Sequence, residues 1–227
     1  GEEVQPGTPA SLPQLGSFPA NRRGLAQWLT HPDHPLTSRV AVNRYWQQFF
    51  GRGIVHPTAD FGLQGAPPTH PELLDYLAVQ FVENGWDTKS LIRLMVTSQT
   101  YQQQSAVSAS TKEGDPLNLW LSHAPRFRYS AEVIRDSSLF VGDLLVERLG
   151  GRPVFPYQPE GLWREVSHFG STPATAQVFV ADEGEKLYRR SLYTFWKRTV
   201  PPPSMQTFDA PNREICTMDR PATNTPL

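Results

Sequence analysis

The 227-residue chain balances 21 basic against 22 acidic residues, so no charge excess suits it to nucleic acid or an anionic membrane surface. Hydrophobic residues make up 38% and aromatics 11%, enough for a packed core, and no run approaches the ~18 apolar residues of a membrane span. A single cysteine, Cys216, excludes an internal disulfide, a thiolate zinc site and a Cys-x-x-Cys-His haem attachment, while 22 prolines point to helices joined by stiff extended connections.

Residues 1–20 are rich in Pro, Gly and Ser and read as a linker. Asn21 then caps a helix carrying Leu25, Trp28 and Leu29, which His31-Pro32-Asp33-His34-Pro35 stops. Thr37 or Ser38 caps the next. Its apolar stripe is Val42, Tyr45 or Trp46, Phe49 and Phe50, closed by Gly51 and Gly53. Residues 54–68 form a long loop. Thr69-x-x-Glu72 is spaced as a capping box ahead of a buried face running from Leu73 to Val82, which Asn84-Gly85 ends. A further helix starts at Asp87 or Thr88 and carries Leu91, Ile92, Leu94 and Met95. Residues 102–114 read as mobile, and Asp115-Pro116 as a helix start. Ser130 caps a long helix running through Ile134, Val141, Leu145 and Leu149 to Gly150-Gly151.

Beyond residue 151 the pattern changes. Residues 152–173 are rich in Pro and Gly. Ala176–Val180 and Arg190–Trp196 read as two strands joined around Asp182-Glu183-Gly184 as a hairpin, and residues 199–227 as an extended wrap. The expected fold is mainly α. It has a helical domain at 21–151 with five or six helices, one small β-hairpin and a long Pro-rich C-terminal wrap. Residues 152–227 form the extension that packs on the helices. The opening Gly1-Glu2-Glu3 and the closing Asn224-Thr225-Pro226-Leu227 suggest a piece of a longer protein, incomplete at its C-terminus.

Several stretches stand out together: Asn43-Arg44-Tyr45-Trp46-Gln47-x-x-Phe50-Gly51-Arg52-Gly53, and Asp60-Phe61-Gly62-x-Gln64-Gly65-x-Pro67-Pro68-Thr69-His70-Pro71-Glu72. Further on come Ala131-Glu132-x-Ile134-Arg135-Asp136, Pro156-Tyr157-Gln158-Pro159-x-Gly161-Leu162-Trp163, Arg189 to Arg198, and Phe208-Asp209-Ala210-Pro211. With these the chain resembles, over roughly residues 22–227, the planctomycete-type, cytochrome-c-associated C-terminal domain of unknown function (PSD-one type). The resemblance implies an exported parent protein, periplasmic or in the cell envelope. Upstream domains of the same chain would be its partners. Haem c would be held only by one of those domains, with no cofactor in this segment. It implies no enzymatic activity.

The candidate polar or ligand site comprises Arg44, Asp60, His70, Glu132, Arg135, Asp136, Asp209 and Arg213. His56, Asp60 and His70 have a loose metal-like spacing, but loop hydrogen bonds and a helix cap explain them as well, and no metal site is assigned. Glu132 and Arg135 stand at i, i+3 and are read as a structural ion pair, the alternative being a charge network lining a cleft. Arg44 would satisfy carbonyls of the glycine-rich loop, with Asp60 or Asp209 as its partner. Asp209 has the chemistry of a base and Arg213 that of an anion clamp, unless both serve as caps in the wrap. Trp163, in a Pro/Gly loop, is the candidate aromatic platform for a sugar, set against the common role of tryptophan as core.

The function expected from these features is a non-catalytic binding or assembly module of a larger exported, cytochrome-linked protein. Its partner beyond the parent chain would be an extracellular polymer or a protein. The alternative is an enzyme domain acting on an extracellular polymeric or glycan substrate, with loop 54–70, helix 130–149 and segment 208–214 converging on a charged cleft. A structural shell around the redox domains is a third reading.

Overall fold

The structure, a computed structural model, describes residues 7–14, 17–162, 179–197, 201–211, 216–217, 219–220 and 223. The fold is mainly helical, and the chain forms two compact units, Gly1–Phe127 and Arg128–Leu227. From sequence the change of style lay later, at residue 151.

The first unit holds α1 (Arg22–Leu29), α2 (Thr37–Phe50), α3 (Pro71–Glu83), α4 (Thr88–Val96) and α5 (Ala109–Gly114). Asn21 caps α1, its side-chain oxygen accepting the N–H groups of Arg23 and Gly24. Asp87 caps α4 in the same way. The segment before α1 is tied to that helix at one point, where the Trp28 indole donates to the Pro13 carbonyl at 3.0 Å.

Two caps differ from expectation. The start of α2 is closed by neither Thr37 nor Ser38 but by His34, whose Nδ1 accepts the N–H groups of Leu36 (3.3 Å) and Thr37 (3.2 Å). The Thr69–Glu72 capping box does not form. His70 is the N-cap residue of α3, and the Thr69 hydroxyl donates instead to the Ile54 carbonyl at 3.3 Å. The hydroxyl is turned to a tertiary carbonyl and does not accept a backbone N–H of its own helix start.

Val42, Trp46 and Phe50 recur every four residues on α2 and are buried against Leu74, Leu77 and Phe81 of α3 and Leu91 and Met95 of α4. Trp46 and Phe50 stack with ring centroids 3.8 Å apart. Each such side chain contributes roughly 1.5–3 kcal/mol on leaving water. Gly85, at φ +66°, ends α3. The N–H of Gly85 reaches the Val82 carbonyl and that of Trp86 the Phe81 carbonyl, while the Phe81 and Trp86 rings meet edge-on at 5.1 Å.

The loop after α2 is tied to the core by Asn43, which has no exposed surface. Its amide nitrogen donates to the Val55 carbonyl (3.0 Å) and its oxygen accepts the Val55 N–H (2.9 Å). Gly53 leaves room for this pairing. A Cβ there would stand 2.6 Å from the Val55 carbonyl oxygen and 2.8 Å from the Asn43 amide nitrogen.

Segment 102–114, read as mobile, contains α5, capped by Ser108. Asp115 starts no helix. Its buried carboxylate accepts the N–H groups of Leu119 and Trp120, both at 2.7 Å, and clamps a turn.

The second unit begins at Ser130, which caps α6 (Ala131–Val141). The helix is shorter than expected from sequence. Gly142 and Asp143 end it, with Asp143 at φ +53° and the N–H groups of Asp143 and Leu144 taking the Phe140 and Leu139 carbonyls. The apolar residues Leu145 and Leu149 continued the helical spacing but lie beyond this stop.

Of the expected hairpin, residues 176–178 lie outside the described residues. In the second expected strand, Ser191–Tyr193 is a 3-10 turn following another at Gly184–Tyr188. Extended pairing there takes the form of isolated parallel bridges, Val146 with Arg189 and Val154 with Thr194. Ala131, Met205 and Ala210 form a small core joining α6 to the short helix Pro203–Gln206, with Trp196 and Phe208 packed beside it.

Candidate functional site

Helical spacing puts Glu132, Arg135 and Asp136 on one side of α6. Each takes a partner distant in sequence. Arg135 donates to the carbonyls of Leu187 (2.8 Å) and Arg189 (2.9 Å) and to the Ser191 hydroxyl (3.3 Å). Burial lowers the proton affinity of this guanidinium, and Asp136, 3.8 Å away, works against that. Asp136 accepts the Ser191 N–H at 2.7 Å and lies 3.7 Å from Arg190. Glu132 does not pair with Arg135, as its spacing suggested. It receives both arms of Arg220, at 2.6 and 3.1 Å. Burial pushes the Glu132 carboxyl up. The Arg220 fork, the backbone N–H of Glu132 and the Ser130 hydroxyl outweigh it and hold the group below its ordinary range.

Arg189, absent from the sequence-derived set, is the most enclosed cation among the described residues of this unit. Its guanidinium donates to the carbonyls of Arg148 and Gly150, both at 2.6 Å, and lies 3.8 Å from the centre of the Tyr193 ring. Asp209, at φ +57°, pairs with Arg128 and accepts the N–H and hydroxyl of Thr223, both at 2.9 Å. Trp163 and Arg213 lie outside the described residues.

These side chains thus hold connecting segments in place. A guanidinium fork can satisfy several carbonyls that irregular backbone leaves without partners, and Arg135 and Arg189 do this for segments 187–191 and 148–152.

Arg44, Asp60 and His70 belong to the first unit. Arg44 is exposed on α2. Asp60 accepts the Gly62 N–H at 2.7 Å, a local turn contact. The His70 Nδ1 lies 3.0 Å from the Thr69 hydroxyl. Among the described residues no group of three His, Cys, Asp or Glu side chains is placed to hold a metal ion.

The first unit carries a concave feature that sequence reasoning missed. A cleft of about 420 Å³ lies between the end of α2 with its following loop and segment 105–127, which includes α5. Trp46 and Phe50 contribute to one side, and Leu117, Leu119 and Phe127 to the other. The far wall is held by backbone clamps. Besides Asp115, Asn118 accepts the Ser122 N–H at 3.0 Å and donates to the His123 carbonyl at 2.8 Å, with positive φ at Asn118 and Leu121.

Arg52, Lys112 and Arg126 also line the cleft, and none of the three forms an ion pair among the described residues. The Arg52 Nε is buried without a hydrogen-bond partner. The carboxylate in the lining, Asp115, is committed to backbone N–H groups. The sequence signal available for this site was the Gly51-Arg52-Gly53 triplet, where two glycines flank a cation. Gly51, at φ +75°, lies against Phe127, and a Cβ there would approach its ring at 2.9 Å.

No curated protein and no solved structure matches the chain. A family model, PSD1, Protein of unknown function (DUF1553), matches residues 21–227, so the chain belongs to the PSD1 family.

Proposed function

We propose that this domain is a non-catalytic binding or assembly module of a larger exported protein. The contrast between the two units carries the reading. The sequence-derived charges described in the second unit, Glu132, Arg135, Asp136 and Asp209, are engaged with backbone groups and with other charged side chains, whereas the first unit has an open cleft whose cations lack ion-pair partners among the described residues. A general acid or base must reach a substrate proton in an accessible pocket, and Glu132, Asp136 and Asp209 are instead occupied by Arg220, the Ser191 N–H and Thr223 with Arg128. The planctomycete-type, cytochrome-linked setting follows from the sequence resemblance. In it, haem c sits on an upstream domain, and the module holds that domain against an extracellular polymer or protein in the periplasm or envelope.

The test is co-sedimentation of the chain with a panel of extracellular polysaccharides and with the neighbouring domain of its parent, alongside an assay for new reducing ends. Retention without release of reducing ends, weakened by Leu117→Asp in the cleft, is the expected result. Release of reducing ends that Asp209→Asn abolishes would make the domain an enzyme and overturn the proposal. So would the absence of retention by every partner.

A further inference from the structure

We infer that the cleft of the first unit is a recognition site for a carboxylate carried on a ring-sized framework. The inference rests on the reading of the cleft as a binding site and goes further by naming the chemistry of its ligand. Arg52, Lys112 and Arg126 come from three separate segments and face one concave space without an ion pair among the described residues. A cation near a protein surface gains most from a nearby anion, and a guanidinium presents a planar fork matched to a carboxylate.

The opposing charge in the lining is Asp115. It is 5% exposed and its oxygens are taken by the N–H groups of Leu119 and Trp120, and against its single negative charge the three cations leave the lining net positive. The remaining wall, with Leu117, Leu119 and Phe127, is apolar. A volume of about 420 Å³ lies within the range of small-molecule sites, roughly 300–1,000 Å³. The cleft therefore offers an anion anchor beside an apolar surface, and a bare inorganic ion would use only the first.

The experiment is backbone-amide NMR of the full chain titrated with benzoate and glucuronate, each beside a neutral partner, benzyl alcohol and glucose. The expected result is saturable shifts at residues 51–54 and 117–127 with at least one acid. The matching neutral compound should bind at least tenfold more weakly, and raising salt should weaken the acid. Lys112→Gln and Arg126→Gln, both at exposed positions, should each cut affinity severalfold, and Arg52→Gln more. If the neutral compounds shift the same amides equally, or the two exposed variants bind the acids unchanged, the carboxylate inference fails while the cleft survives as a binding site. If neither acid nor neutral compound moves these amides, both readings fail.

Discussion

Replacing Asn43 by Leu tests how the site-bearing loop is attached to the helical core. The two side chains are close in size, so the substitution removes hydrogen bonds without opening a large cavity. Asn43 has no exposed surface and Val55 is 4% exposed, so water cannot replace the lost partners at the Val55 N–H and carbonyl. Each buried group left unpaired costs about 1–3 kcal/mol. Two of them give about 2–6 kcal/mol, and the added apolar burial of Leu recovers about 1 kcal/mol. The expected net loss is about 1–5 kcal/mol, a large share of the ~5–15 kcal/mol typical of a domain. Urea unfolding followed by tryptophan fluorescence measures it, because Trp28, Trp46, Trp86 and Trp120 all lie in the first unit. The urea midpoint should fall with an unchanged denaturant slope. Gly53→Ala should fall in the same direction, since its Cβ meets both the Asn43 amide and the Val55 carbonyl. A loss below about 1 kcal/mol for Asn43→Leu would mean that the loop does not depend on this pair, and the reasoning would be refuted.

Three further outcomes follow. Arg189→Lys should destabilise the second unit by about 2–4 kcal/mol in urea unfolding, because an ammonium cannot fork onto the Arg148 and Gly150 carbonyls while covering Tyr193. Asp143→Gly should stabilise by about 0.5–1 kcal/mol, since glycine takes the positive φ at the end of α6 without the Cβ cost; a higher melting temperature checks it. Burial and the neighbouring His31, itself 3.8 Å from Asp33, hold His34 below its ordinary value of 6.5. The capping contribution of neutral His34 is therefore fully present above that value and lost as pH falls through the lower folded value. Stability should begin to drop as pH falls below about 6.5, and His34→Asn should flatten this dependence, measured as urea midpoints at descending pH.

Much of the helical architecture is legible in the residues themselves. Asn21, Asp87 and Ser130 act as caps because their side chains bond N–H groups only two or three positions on, within reach of a local pattern. The apolar stripe of α2 and the buried face of α3 follow the helical period, and Asn84-Gly85 marks its end by the conformational freedom of glycine. Periodicity alone overran α6, where Leu145 and Leu149 kept the spacing but Gly142 and Asp143 turned the chain.

The polar side chains are where local reading stopped. Glu132 had Arg135 within helical reach and took Arg220. Thr69 had its own helix start and took the Ile54 carbonyl, and Asp115 closed a turn instead of opening a helix. A hydrogen-bonding group is satisfied by whichever partner the packed chain brings closest, and that depends on segments tens of residues away. The sequence by itself determined that the chain folds as capped helices around an aromatic core. Only tertiary structure decided that Arg135 and Arg189 would brace backbone, and that Arg52, Lys112 and Arg126 would face one cleft, because residues so far apart in the chain meet only once the apolar faces between them have packed.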